Sequence, residues 1–169
     1  MNLRIRFSDA RLADVPGVAA LQNAAAGALT ARFGPGHWSS LTSERAVAQG
    51  MRHARIRVGR SGRQIVTTLR LATRKPWAID AACFTPVRRP LYLTGMAVAV
   101  AHQGEGLGRQ ALADARAVAV GWPADAIRLD AYDADAGAER FYLECGFHEM
   151  ARVVYKGNPL VYLEQLLVR

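Results

Sequence analysis

The chain has 169 residues, 51% of them hydrophobic and 21% charged, with a formal net charge of +8 at neutral pH. That length and balance predict one globular domain with a sizeable core and exclude a disordered chain. The opening MNLRIRFSDA holds no apolar signal segment, no apolar run approaches the roughly 20 residues that span a bilayer, and Cys83 and Cys145 make neither a disulfide framework nor a metal-ligand spacing, so the expectation is a cytoplasmic protein with no membrane segment and no metal.

Residues 3–7 alternate in polarity and predict a first strand. Asp14 stands where it can cap a helix with Pro16 in its first turn, running through VAALQNAAAGAL. RFGPGHWSS reads as loop, and Ser43 opens a short second helix over ERAVAQGMRHA. RIRVGRSGRQIVTTLRLA predicts a hairpin turning at residues 59–62, with Ile56 and Val58 inward and Arg55 and Arg57 on the solvent face. TRKPWAIDAACFTPVRRP, with three prolines, reads as a long irregular loop. LYLTGMAVAV is apolar on both alternating faces, as a buried central strand should be, and its Gly95 marks a bulge or a close backbone approach.

A glycine-rich turn follows. Then RQALADARAVAVGW sets Ala111, Leu112, Ala115, Val118, Ala119 and Trp122 on one helical stripe, stopped by Gly121 and Pro123. AIRLDAY is a strand. DAGAERFYLECGF is a helix stacking Ala138, Phe141, Tyr142 and Cys145, ended by Gly146. ARVVYKGNPLVYLEQLL gives two strands around Gly157 and Asn158. The order β-α-α-β-β-β-α-β-α-β-β predicts an α/β (α+β) fold, a mixed sheet with helices on both faces.

The positive charge is concentrated. Residues 45–79 hold eight Arg and Lys75 and no acidic residue, leaving the rest of the chain with 13 basic and 14 acidic residues. An anionic partner such as nucleic acid is one reading. The ordinary reading is a solvated Arg-rich surface, and a chain-wide ratio of 20 Arg to 2 Lys favours it.

The stretch AHQGEGLGRQAL lies between the apolar strand and the striped helix. A buried strand, a glycine turn and a helix start together make an anion site. The first amides of a helix point outward with the positive end of its dipole, and glycine lets backbone approach a ligand closely. Gly104, Gly106 and Gly108 follow G-x-G-x-G, which is neither the dinucleotide fingerprint nor a P-loop.

Gln103, Gly104, Glu105, Gly106, Leu107 and Gly108 resemble the Q/R-x-x-G-x-G/A signature of the GNAT N-acetyltransferase superfamily. A second motif, N-x-x-A followed by a hydrophobic residue, Tyr and G-F, is matched by Asp135, Ala138, Phe141, Tyr142, Gly146 and Phe147, with Asp135 in place of the usual Asn. The resemblance implies one GNAT-type domain over residues 1–169, with a mostly antiparallel central sheet. It implies acetyl-CoA as co-substrate, its pyrophosphate held by residues 103–109 including Arg109, near Asp135. The backbone at Met96, Ala97 and Val98 would meet the pantetheine and polarise the thioester. Homodimers are common among members. The implied activity is direct transfer of acetyl to a primary amine of a small molecule or protein; the rival is a non-catalytic acyl-CoA-binding module.

Tyr142 matches the tyrosine that stabilises or protonates the departing thiolate. Many members carry a Glu base near the position of Thr94, which cannot act as a base. Asp80, His37, Glu44 or a water relay are then the alternatives. Trp38 and Trp77, in the least regular segments, stand as acceptor-pocket residues or as anchors of their loops, and Arg88 or Arg89 could meet an acidic acceptor.

Overall fold

The computed structural model describes residues 4–167. Among them seven strands form one sheet in the order β1-β2-β3-β4-β5-β7-β6. The elements are β1 (Arg6–Asp9), α1 (Val15–Phe33), α2 (Glu44–Gly50), β2 (Arg55–Ser61), β3 (Gln64–Ala72), β4 (Pro90–Val98), α3 (Leu107–Gly121), β5 (Ala126–Tyr132), α4 (Glu139–Glu144), β6 (His148–Tyr155) and β7 (Asn158–Leu166). Strands and α-helices follow the order read from the sequence. The first strand starts at Arg6; the expected start at Leu3 lies outside the described residues. The chain divides into two compact units, Met1–Leu71 with Thr94–Ala115, and Ala72–Leu93 with Arg116–Arg169, so β4 and α3 each contribute to both.

In the first unit, Val15, Val18 and Ala19 of α1, Val47 of α2, and Ile56 and Val58 of β2 form a dry cluster. Their spacing on α1 is i, i+3, i+4, so one stripe of the helix faces the strands. Asp14 precedes α1 without capping it through its side chain; its carboxylate accepts from the Arg11 N–H at 2.7 Å and pairs with Arg60 at 2.6 Å. Ser43 caps α2 as expected, its hydroxyl accepting from the Ala46 N–H. The β2–β3 turn is Gly62-Arg63, with Ser61 opposite Gln64, and Gly59 lies within the strand. A Cβ at Gly59 would sit 2.4 Å from Thr67 Oγ1, so this glycine serves a close approach and leaves the turn to Gly62.

Arg57 corrects the solvent-face reading of β2. Its side chain is only 11% exposed and forms a fork on Asp114 of α3, Nε and Nη2 each at 2.8 Å, with Nη1 on Asp9 at 2.9 Å. A bidentate guanidinium–carboxylate pair of this kind fixes geometry as well as charge. It ties the middle of α3 to β2.

In the second unit, β5 pairs with β7 along its whole length, antiparallel, from Ala126 opposite Leu166 to Tyr132 opposite Leu160. Its parallel pairing with β4 stops after three residues, at Tyr92 opposite Arg128. β6 and β7 turn at Lys156 and Gly157, both with positive φ, which matches a type I′ hairpin. Ile79, Phe84, Tyr92 and Tyr162 form the apolar cluster under the proline-rich loop. Among the described residues, no helix is long and apolar enough to cross a membrane.

Candidate active site

The first unit carries the glycine turn. β4 passes through Gly95, whose φ of 59° only glycine adopts readily. A Cβ there would also meet Gln22 Nε2 at 2.7 Å, and that amide donates to the Gly95 carbonyl at 2.9 Å. Of the bulge or close approach read from the sequence, the close approach is present: the Gln22 side chain packs against Gly95, which has positive φ. Met96, Ala97 and Val98 follow on the strand, and Gln103 reaches back to the Val98 carbonyl at 3.3 Å.

Gly104 and Gly106 have φ of 83° and 80° with open space where a side chain would stand. Residues 103–106 are exposed, while Leu107 is buried and anchors the turn. The α3 ladder begins with the Gln110 N–H donating to the Gly106 carbonyl at 3.2 Å. An α-helix leaves its first amides outside its own ladder, at the positive end of the dipole. Gly108 belongs to the first turn of α3, and Arg109 beside it is exposed. His102 and Glu105 are joined at 3.1 Å across the turn. An exposed turn with open space at two left-handed glycines, at the start of a 15-residue helix, suits an anion, and a pyrophosphate fits its chemistry.

Trp38 also lies in this unit. Its indole N–H donates to the Gly34 carbonyl at 2.9 Å and its ring covers Gly36, so it fastens its own loop. The segment expected to be irregular also includes a short 3-10 turn at His37–Ser39.

The second unit carries Tyr142, Asp80, Trp77 and Asp135. Tyr142 is buried on α4, edge-on to Phe141 and Phe147 at 5.2 and 5.5 Å between ring centres. Burial pushes its phenol well above the ordinary range, and the charge of Asp130 adds to the shift. Both ends of α4 are held. Arg152 of β6 binds Asp133, Glu139 and Glu149 at 2.7, 2.5 and 2.9 Å, and Gln165 of β7 donates to the Cys145 carbonyl at 3.2 Å. The helix is shorter than expected. Ala138 is its exposed N-cap, and Asp135 lies in the preceding turn, exposed, so it does not cap α4. That turn is set by Gly137, where a Cβ would fall 1.9 Å from the Tyr132 carbonyl oxygen.

Asp80 is exposed, and its Oδ1 accepts from the Ala82 N–H at 3.0 Å, capping the 3-10 turn Ala81–Cys83. Trp77 is 84% exposed and does not anchor its loop to the core. Arg89 is engaged with Asp125 through both its backbone N–H and its guanidinium. With Arg88, Thr73, Pro90, Leu91, Trp122 and Ala124 it lines a shallow cavity of about 310 Å³.

Sequence reading missed the polar centre of β5. Arg128 is 3% exposed and Glu164 of β7 is 1% exposed, and they pair at 2.8 Å. Arg128 also donates to the Thr85 carbonyl at 2.5 Å and to the Tyr92 hydroxyl at 3.4 Å, with its guanidinium over the Phe84 ring. One buried cation thus holds the proline-rich loop, β4, β5 and β7. Two residues further along, Asp130 is half-buried, and burial raises its carboxyl above the ordinary range. The available signal was two charges at alternate positions of AIRLDAY, an otherwise apolar strand.

The model of the acetyltransferase (GNAT) family matches residues 64–147, which span β3 to α4 and include both the glycine turn and Tyr142. No curated protein matches the chain in sequence. Solved structures match it closely in fold. The ribosomal-protein-alanine N-acetyltransferase of Brucella melitensis superimposes with a TM-score of 0.74 at 18% identity, covering 96% of this chain and 99% of that one. YncA of Salmonella typhimurium, solved with its cofactor acetyl-CoA, gives 0.70 at 18% identity over 98% and 95%. The ribosomal-protein-S18-alanine N-acetyltransferase of Escherichia coli gives 0.69 at 14% identity over 98% and 96%. The chain has the GNAT fold and carries the acetyltransferase domain of the GNAT family.

Proposed function

We propose that this protein transfers the acetyl group of acetyl-CoA directly to a primary amine. The observation that carries the reading is the pair of left-handed glycines, Gly104 and Gly106, opening the fifteen-residue α3 shortly after β4, the strand that carries Gly95 with positive φ. In this reading the amides of residues 103–109 take the pyrophosphate, and the backbone of Met96, Ala97 and Val98 takes the pantetheine and polarises the thioester carbonyl. YncA, of the same fold, is solved with acetyl-CoA, which supports the co-substrate.

The amine attacks the thioester carbon, the C–N bond forms and the C–S bond breaks. Tyr142 then meets the developing thiolate. A phenol of ordinary pKa is already roughly 2 kcal/mol short of protonating a thiolate fully. Burial of Tyr142 widens that gap, so its work is a hydrogen bond that strengthens as charge builds on sulfur. Trp77, exposed on the proline-rich loop, is available to an acceptor, and Trp38 shapes the loop after α1. The protein works in the cytoplasm in this reading, where acetyl-CoA is supplied.

The test is release of free CoA thiol from acetyl-CoA across a panel of primary amines: tyramine, spermidine, L-lysine and an alanyl peptide. Turnover above the enzyme-free rate with at least one amine is expected. Thr94, where many members have a Glu, favours the second reading, a non-catalytic acyl-CoA-binding module. Tight CoA binding with no thiol release from any amine would establish that reading instead.

A further inference from the structure

The second unit holds the shallow cavity at the entry to β4, and every residue that lines it belongs to that unit. Three segments of chain close it. The entry to β4 is joined to the entry to β5 twice: the Asp125 N–H donates to the Arg89 carbonyl at 2.9 Å, and the Arg89 N–H donates to the Asp125 carboxylate at 2.9 Å. The connection from α3 to β5 is closed by the Trp122 N–H on the Val118 carbonyl and the Ala124 N–H on the Ala119 carbonyl, both at 2.9 Å. Thr73, directly after β3, completes the lining. The cavity therefore stands on fastened backbone.

Its lining has an apolar part and a cationic part. Leu91 and Ala124 are buried and Trp122 is half-buried. Arg88 and Arg89 supply the charge, and they are not equivalent. The Arg89 guanidinium is paired with Asp125 at 3.4 Å. Arg88 is exposed, and its guanidinium has no ion-pair or hydrogen-bond partner among the described residues; the Thr73 hydroxyl has none either. One positive charge of the lining is thus left without an opposing carboxylate. The volume of about 310 Å³ lies at the lower end of the roughly 300–1,000 Å³ of small-molecule sites. It suits a ligand of one ring and excludes one the size of a coenzyme.

We propose that this cavity binds a small monocarboxylate that carries one planar apolar ring. The carboxylate meets the Arg88 guanidinium, whose fork of N–H donors matches two carboxylate oxygens, and the Thr73 hydroxyl donates to one of them. The ring lies against Trp122, Leu91 and Ala124, where contact with the indole adds to the apolar area removed from water. Arg89 stays on Asp125 and keeps the two strand entries together. A dianion such as a phosphate monoester leaves one of its charges unmatched in this lining.

The experiment uses the full chain and three probes that share a ring: benzoate, benzamide and phenyl phosphate. Binding is followed by NMR at the backbone amides of Arg88 and Ala124 and at the indole N–H of Trp122, which Trp122→Phe identifies. Benzoate should shift these three signals saturably, with the millimolar Kd expected of so small a ligand. Uncharged benzamide should bind about 10-fold or more weakly, since it lacks the charge-assisted hydrogen bonds, and phenyl phosphate should bind no tighter than benzoate. Arg88→Gln should weaken benzoate by about 10-fold or more, with the rest of the spectrum as in wild type. Arg74→Gln, at an exposed arginine outside the lining, should leave benzoate binding unchanged. The proposal is overturned if benzoate up to about 20 mM moves none of the three signals, if benzamide binds as well as benzoate, if phenyl phosphate binds tighter, or if Arg88→Gln binds benzoate like wild type. The benzamide comparison needs no variant, and no readout needs acetyl-CoA or turnover, so the outcome is independent of the acetyl-transfer reading.

Discussion

The glycine turn of the first unit and the β5–α4 region of the second are built by different means. The turn relies on backbone. Gly104 and Gly106 adopt positive φ, Leu107 is the buried anchor, and no side chain of the two glycines stands in the way. The second region relies on side chains in an environment that the fold creates: a buried Arg128–Glu164 pair, a half-buried Asp130 and a buried Tyr142 whose phenol is held neutral. A backbone cradle suits a ligand part that never varies, such as a pyrophosphate. Side chains in a tuned setting suit the reacting end, where protons move.

That contrast can be broken most severely at Arg128. Arg128→Ala leaves Glu164 buried without its cation and frees the Thr85 carbonyl, and should destabilise the protein by about 3–5 kcal/mol in denaturant unfolding. A loss below about 1 kcal/mol would mean that the pair is not the fastening of the loop. Next in size, Tyr142→Phe should lower kcat by about 10- to 100-fold, roughly 1.4–2.7 kcal/mol, while leaving CoA affinity unchanged by calorimetry. Unchanged turnover would remove the tyrosine from the reacting end.

Smaller again, Gly106→Ala places a Cβ on a left-handed residue and should cost about 1–2 kcal/mol of local strain. The predicted readout is a roughly 5- to 30-fold weaker CoA Kd, with kcat nearly unchanged once acetyl-CoA saturates. The smallest effect concerns stability against pH. The folded-state pKa of Asp130 is raised, so its ionised form is disfavoured in the folded protein. Its penalty is absent below the unfolded-state value, grows as pH rises to the folded-state value, and is constant above it. Asp130→Asn should therefore have a slightly higher Tm than wild type at pH 7, and that advantage should vanish toward pH 3.5. A Tm that falls at pH 7 would make Asp130 a structural residue.

The first region was legible in the sequence because glycine has a local meaning. Gly95, Gly104 and Gly106 sit where positive φ is needed, and the strand, turn and helix around them follow from apolar patterning. The element order was readable for the same reason. What failed was anything that depends on which neighbour arrives from elsewhere. Alternation put Arg57 in solvent, but Asp114 of α3 and Asp9 of β1 close over it. Gly59 looked like a turn and is a strand residue, because Thr67 and Phe7 leave no room for a Cβ. The helix read from Asp135 onward begins only at Glu139, because Gly137 sets a separate turn before α4. The half-burial of Asp130 depends on the strands packed beside it and the Arg128–Glu164 pair depends on β7, and neither is a local property of AIRLDAY.

We propose that the backbone of the glycine turn binds the coenzyme and that Tyr142 acts on its thiolate. It is tested most directly by calorimetric CoA binding together with thiol release for wild type, a Gly104→Val/Gly106→Val double variant and Tyr142→Phe. The prediction is that the valine pair weakens CoA binding by roughly 30- to 900-fold, at roughly 1–2 kcal/mol of strain per site, while Tyr142→Phe binds CoA like wild type and releases thiol slowly. Wild-type CoA affinity in the valine pair would contradict the account.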